Sequence, residues 1–408
     1  MKNTLRVAGL IAVLVAGSGC AATISGQAKP GLTPVDVVAL KTGAQVIEPT
    51  PFIEKFPSAT SERIRLIEGR RLLNVLVQPN DFFPSLTELG FTRIFANTEA
   101  MSKTGSIPPQ YSDAIFTNNL VVGVTETRTN DSVRNLETML VGVLQFATEQ
   151  DAENAAAAMY QVTMAGERPR HPVTMPGYPD ANASSADDTG ANAFQQHGPF
   201  VIVNSAAQPT PDLSGLTAKI KNSMDKQIPA LDAFKAIAPD DLMDLPRDPD
   251  GIVRRTMDKS PAGDPYGMSF YQEDFGTFEP SGILHYERNP LEVRKAFEKA
   301  GVDLVGRRYS TVYRARDVES AFELQTALAK RSKDDAVLEP PPGIADAQCV
   351  RLAEADKNRQ YNGFCVLVYD RYVAVVMSLA SVSKASLQVD PILQERTAAQ
   401  YAILKKSE

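Results

Sequence analysis

Histidine and cysteine are scarce in this sequence, and that narrows the chemistry it can do. Three of each occur in 408 residues: His171, His197 and His285, and Cys20, Cys349 and Cys365. Nucleophilic hydrolysis needs a Ser or Cys beside a base, usually His, and a group to orient that base. His171 lies in a Pro-rich loop, His197 opens a His-Gly-Pro turn and His285 falls in a stretch that reads as strand. No Gly-x-Ser-x-Gly elbow accompanies them. Zinc-ligand spacing, a phosphate-binding loop and a dinucleotide fingerprint are missing as well. The expectation is therefore no catalytic residue, no metal and no cofactor. Carboxylates are plentiful but scattered, so an acid pair of the glycosidase kind has no sequence signature here.

Two further stretches carry side chains worth weighing. Asp248-Pro249-Asp250-Gly251 has the acids of a calcium loop, but Arg254 and Arg255 stand where further oxygen ligands belong, so it reads as a plain turn. Between Tyr266 and Tyr286, glycines alternate with Phe270, Tyr271, Phe275, Phe278 and Tyr286. These five are candidate ligand-lining residues, with core packing as the simpler role. Cys349 and Cys365 form a pair suited to a disulfide if the chain is exported, and no His or third Cys lies near enough to make them metal ligands.

The elements that must position these residues recur. Leu140–Phe146 reads as strand, Thr148 caps a helix with an acidic first turn, a long Pro/Ser/Asp loop follows, then strands at Ala193–Gln196 and Phe200–Asn204 and a helix from Leu213 to about Phe234. The same order returns as a strand at Arg308–Tyr313, a helix opening at Asp317, a Pro-rich loop at Lys333–Ala347, strands at Cys349–Ala353 and Cys365–Met377 and a helix at Leu387–Leu404. Asn362-Gly363 reads as a turn ahead of a β-forming run from Phe364 to Ser378. Earlier in the chain, Ile64–Ile67 and Leu72–Val77 read as strands, Asp81–Leu89 as a short helix and Asn119–Thr127 as a strand. Pro290–Ala300 reads as an amphipathic helix. The fold class expected is α+β, two tandem domains duplicated from one unit, each an antiparallel sheet with helices on one face. Two unrelated α+β domains are the alternative.

The first twenty residues set the address. Lys2 and Arg6 precede an apolar run from Val7 to Ala16, and Gly17-Ser18-Gly19 leads into Cys20. This is the layout of a secretory signal, too short to span a bilayer. Small residues followed at once by a cysteine resemble the lipobox of bacterial lipoproteins, with Gly17 where an aliphatic residue is usual. The resemblance implies that Cys20 becomes the N-terminus and carries acyl chains such as palmitate; plain secretion is the other reading. Two or more chains anchor stably where one does not. Loss of Lys2 and Arg6 with the leader takes the net charge from −7 to −9. That balance argues against a nucleic-acid partner. With 43% apolar and 22% charged residues, the chain has ample material for packed cores.

The expected organisation is signal peptide 1–19, flexible tether 20–34, N-terminal domain 35–237, Pro/Asp/Gly-rich linker 238–267 and C-terminal domain 268–408. The leader ending at Cys20, Asp248-Pro-Asp-Gly251, the Cys349 and Cys365 pair, Arg371-Tyr372-Val373-Ala374 and Ala399-Gln400-Tyr401 together resemble an uncharacterised two-domain lipoprotein family of mycobacteria, nocardiae and related actinobacteria. The resemblance implies an envelope location, on the outer face of the cell membrane, and transfers no catalytic residue. The functional expectation is a non-catalytic module that binds an envelope lipid, glycan or protein. A carboxylate-based hydrolase acting on envelope material is the alternative.

Overall fold

A computed structural model describes residues 31–52, 62–104, 107–238, 240–260, 271–356, 360–379 and 388–408. The leader, Cys20 and Phe270 lie outside the described residues. The chain forms α1 (Glu62–Leu73), β1 (Glu88–Phe95), α2 (Thr98–Thr104), α3 (Ser112–Phe116), β2 (Leu120–Thr129), β3 (Thr138–Phe146), α4 (Glu149–Met164), β4 (His171–Pro172), β5 (Asn182–Ala186), β6 (Gly190–His197), β7 (Phe200–Ala207) and α5 (Leu213–Ala233). The second half runs β8 (Gly276–Phe278), α6 (Pro280–Ile283), α7 (Pro290–Ala300), β9 (Leu304–Arg307), β10 (Thr311–Arg314), α8 (Val318–Leu328), β11 (Ala336–Leu338), β12 (Gln348–Asp356), β13 (Tyr361–Tyr369), β14 (Tyr372–Ser378) and α9 (Pro391–Lys406).

Both halves are antiparallel seven-stranded sheets of one topology. The first has the order β1-β2-β3-β7-β6-β5-β4, and the second, read from its β8 edge, runs β8-β9-β10-β14-β13-β12-β11. Counting strands within each half, both are 1-2-3-7-6-5-4. In each, a helix follows the third strand and another closes the repeat, so the recurring element order extends to strand pairing. The entry to each helix is fixed chemically: Thr148, Asp212, Asp317 and Asp390 accept a backbone N–H of the first turn of α4, α5, α8 and α9.

The α+β class and antiparallel pairing hold, but the helices cover both faces of each sheet, not one. Val124, Val143 and Ile202 align across β2, β3 and β7 and pack under α1 and α5, whereas Leu144 and Val201 point the other way, toward α4. In the second sheet Phe364, Val366 and Val368 meet α8, and Cys365, Leu367 and Val376 meet α9. A strand buried on both faces loses the polar alternation that would have announced a one-sided sheet. One core cluster runs from the α5 face of the first sheet to the α8 face of the second, joining the halves through non-equivalent faces.

Several local expectations are corrected. Residues 64–77 are not two strands; Ile64, Ile67, Leu72 and Leu73 are buried at helical spacing in α1, and Gly69 lets that helix sit against Ile94 and Val122. Residues 79–81 make a single 3-10 turn, and β1 starts at Glu88. Asn362 and Gly363 lie inside β13; the turn falls at Asp370, whose φ of 51° places it in the left-handed region, and it splits the β-forming run in two. His285 is in a 3-10 turn following the helix that Pro280 opens, not in a strand. Residues 33–52, grouped by sequence with the tether and first domain, pack on the second: Thr33 donates to Asp346 at 2.7 Å, Arg308 donates to the Thr50 carbonyl at 3.3 Å, and Val35, Val37, Leu40 and Phe52 cover Ile252, Val253 and Leu367. The linker likewise docks, with Ile252, Val253 and Met257 buried and Gly306 close beneath the Ile252 carbonyl, which a Cβ there would meet at 2.5 Å.

Candidate functional site

An opening lies on the α8 face of the second sheet. Its volume is about 420 Å³, within the usual range for small-molecule sites. It exists because α8 is short. The equivalent helix α4 has 16 residues and α8 only 11, a difference of about 7 Å of helix. Leu328 ends α8 before it covers Tyr361 and Phe364 of β13 and Val375 and Met377 of β14, which become the floor. Tyr286, Val293 and Tyr313 complete the apolar lining, Arg288, Arg307, Lys330 and Arg331 supply cations, and Glu287, Glu292 and, from the first half, Glu88 supply carboxylates.

Much of that polarity is already engaged. Tyr313 donates to Glu287 Oε1 at 2.6 Å, Tyr286 donates to Asp274 Oδ1 at 2.8 Å, and Lys330 pairs with Glu292 at 2.6 Å. The Arg307 guanidinium lies 4.2 Å from the Tyr286 ring centroid, a stacking that suits its delocalised charge.

The wall at residues 286–289 is bolted to the first half by a buried polar network. On β2, Arg128 Nε donates to Glu126 Oε1 at 2.5 Å, and the other carboxylate oxygen is 2.7 Å from His285 Nδ1. Arg128 also donates to the Thr87 and Glu287 carbonyls, both at 3.1 Å, and the Thr92 hydroxyl donates to the His285 carbonyl. Glu126 and Arg128 are 0% exposed and His285 is 1%. Burial pushes the Glu126 carboxyl up, but Arg128 and His285 outweigh it and hold the group below the ordinary carboxylate range. Beside this network, Arg93 stacks 4.1 Å from the Tyr271 centroid and lies 4.0 Å from Asp274.

Asp274 behaves in the opposite way. Burial pushes its carboxyl above the ordinary range, against Arg307, Arg93 and the Tyr286 hydroxyl. Between the unfolded and folded values the native state therefore binds more protons, so this group's contribution to stability falls as pH rises. Asp274→Asn keeps an acceptor for Tyr286 and removes that titration. Its stability relative to wild type should rise steadily from about pH 4 toward neutrality. Urea unfolding at several pH values checks this; a constant offset would show that Asp274 does not titrate in that range.

The aromatic residues singled out by sequence are dispersed. Tyr286 lines the cavity. Phe275 lines a smaller opening of about 270 Å³ with Phe52 and Leu66. Phe278 is core, its ring 5.7 Å from that of Tyr286, and Tyr271 lies beneath Arg93. Cys349 and Cys365 are joined by a disulfide across β12 and β13. His197 sits 2.7 Å from Asp232 and His171 3.2 Å from Asp188, both at the surface and away from the cavity. Asp248 caps the backbone of Val253 and Arg254, and Asp250 pairs with Arg314. Sequence reasoning missed Tyr313, Phe364, Val375 and Met377, which read simply as strand core, and missed the Glu126–Arg128–His285 network. The lone signal for the latter was two opposite charges at i, i+2 inside a β-branched run, which places both on one sheet face. Among the described residues no three His, Cys, Asp or Glu side chains are arranged to hold a metal, and no helix is long and apolar enough to cross a membrane.

Two family profiles match the chain: the domain of unknown function DUF7373, N-terminal, over residues 56–247, and its C-terminal counterpart over 252–407. None of the curated proteins compared matches it. The junction between the profiles falls in the segment joining the two sheets, and the chain belongs to the two-part DUF7373 family, one seven-stranded antiparallel repeat to each part.

Proposed function

We propose that this protein is a cell-envelope lipoprotein, anchored through Cys20 on the outer face of the membrane, that binds an envelope ligand without transforming it. The observation that carries the binding reading is the cavity of about 420 Å³ with an apolar floor and a charged rim. The Met1–Cys20 pattern supports the anchor, and the Cys349–Cys365 bond fits an oxidising compartment. The alternative, a carboxylate hydrolase, calls for a carboxyl of raised pKa in a cleft. The carboxyls that burial pushes up, Glu68 and Asp274, are both enclosed, Glu68 by Arg71 and the Ile237 N–H and Asp274 by Tyr286, and neither lines the cavity.

Native mass spectrometry of the mature protein purified from its own envelope, followed by solvent extraction, tests this reading. A copurifying small molecule and an acylated N-terminal cysteine are expected. A bare polypeptide with an unmodified N-terminus would remove both the ligand and the anchor.

A further inference from the structure

We infer that the cavity takes an anionic amphiphile, its chain on the floor and its charged head between Arg288 and Arg331. This rests on the binding reading above and adds the ligand's class. The floor is mostly apolar contact area: the Tyr286 and Tyr313 hydroxyls are already donated to Asp274 and Glu287, Phe364, Val375 and Met377 are apolar, and the Tyr361 and Thr311 hydroxyls are the remaining polar groups there. A polar occupant there would lose its hydration without replacement, whereas an alkyl chain gains from leaving water.

The rim has the opposite character. Glu292 is paired with Lys330, Glu287 accepts from Tyr313, and the Asn289 carboxamide oxygen caps α7 by accepting from Glu292 N at 3.4 Å. Arg288 and Arg331 are exposed and have no hydrogen-bond or ion-pair partner among the described residues, whereas Arg307 is already engaged by the Tyr286 ring and by the charge of Asp274. Among the described residues, the lining carboxylate with no hydrogen-bond or ion-pair partner is Glu88. Uncommitted cationic donors thus outnumber uncommitted acceptors. A guanidinium presents a planar fork of donors that matches a carboxylate or phosphate. A neutral glycan would need donors and acceptors interleaved at each hydroxyl, and the free groups here are almost all donors. The head is therefore an anion, either a fatty-acid carboxylate or a lipid phosphate.

The test is isothermal titration of the delipidated mature chain with palmitate, palmitoyl lysophosphatidylglycerol and the uncharged monopalmitoylglycerol. At least one anionic probe should bind at least tenfold more tightly than monopalmitoylglycerol. Arg288→Ala and Arg331→Ala should each weaken the anion by about tenfold and leave the neutral probe unchanged. Val375→Phe, which fills the floor, should weaken all three. Binding by palmitate alone assigns a fatty acid; binding by the lysophospholipid alone assigns a phosphate head. Equal binding of neutral and anionic probes, or arginine variants that behave as wild type, would overturn the class. If no probe binds while native mass spectrometry finds another bound molecule, the class fails and the binding reading stands; if neither finds a ligand, both fail. Because both arginines are exposed, their variants separate recognition from folding.

Discussion

Arg128→Ala should lower the unfolding free energy by about 3–5 kcal/mol, the usual result of removing one partner from a fully buried ion pair. The reason is what it leaves behind. Glu126 would keep the His285 contact at 2.7 Å but lose its guanidinium partner in a site with no solvent access. The Thr87 and Glu287 carbonyls would lose donors in the same step. The folded state holds the Glu126 carboxyl below its ordinary pKa. Its contribution to stability is therefore present above the unfolded carboxylate pKa and lost as pH falls through the lower folded one. In Arg128→Ala that margin goes, and acid unfolding should begin at a higher pH. A companion variant separates pair from packing. Glu126→Gln combined with Arg128→Met removes both charges while keeping most of the volume, and should recover much of the loss, since buried pairs often contribute little net stability over apolar replacements. Guanidinium unfolding of the three proteins decides it. A loss below about 1 kcal/mol for Arg128→Ala would mean that water reaches Glu126 and that the network is not the dry contact described.

The same variant should loosen the cavity. Arg128 holds the Glu287 carbonyl, and Glu287 in turn accepts from Tyr313, so the wall at 286–289 is positioned from the first half of the chain. The halves also share one apolar cluster, with Leu72 and Ile220 on one side and Phe278 and Phe297 on the other. Neither repeat has a private core on that side, which favours one cooperative transition over two.

Element type was legible wherever local chemistry determined it. Thr148 and Asp317 announced their helices because a capping side chain acts within three residues. Cys349 and Cys365 could be placed on neighbouring strands because each falls in a β-forming run, although the turn expected at Asn362-Gly363 lies inside β13. Residues 64–77 failed because Ile, Leu and Val runs suit a strand or a buried helix equally, and what decides is the Ile94 and Val122 surface that Gly69 lets α1 approach. The both-sided burial of each sheet was hidden for a related reason: nothing local reports that α4 and α5, or α8 and α9, lie on opposite faces. The cavity was the least legible. It depends on where α8 stops relative to the ends of β13 and β14, a difference of a turn or two in a helix whose own sequence looks complete. Residues 33–52 likewise carried no mark of their destination, since docking against Asp346 and Arg308 joins positions 313 and 258 residues apart.

Replacing Cys349 and Cys365 together by Ala should cost more than the loss of about 3 kcal/mol expected on reduction of the wild-type bond. The two residues are direct partners in the β12–β13 register, with Cα atoms 4.0 Å apart and a separation of 16 in sequence. Closing a loop of that size removes about 3 kcal/mol of chain entropy from the unfolded state, and reduction restores it. The Ala variant loses the link and also the sulfur volume. Both side chains are buried with Met257, Leu338, Val376, Leu393 and Ile403 beneath α9, where a vacated space is not refilled by solvent. Urea unfolding of the wild type with and without reductant, beside the double variant, separates the two contributions. Equal midpoints for oxidised and reduced wild type would show that the β12–β13 pairing already restricts the unfolded chain and that the bond adds nothing. If the reduced protein falls by about 3 kcal/mol while the double-Ala variant falls further, loop entropy and packing beneath α9 act as separate stabilising effects at one site.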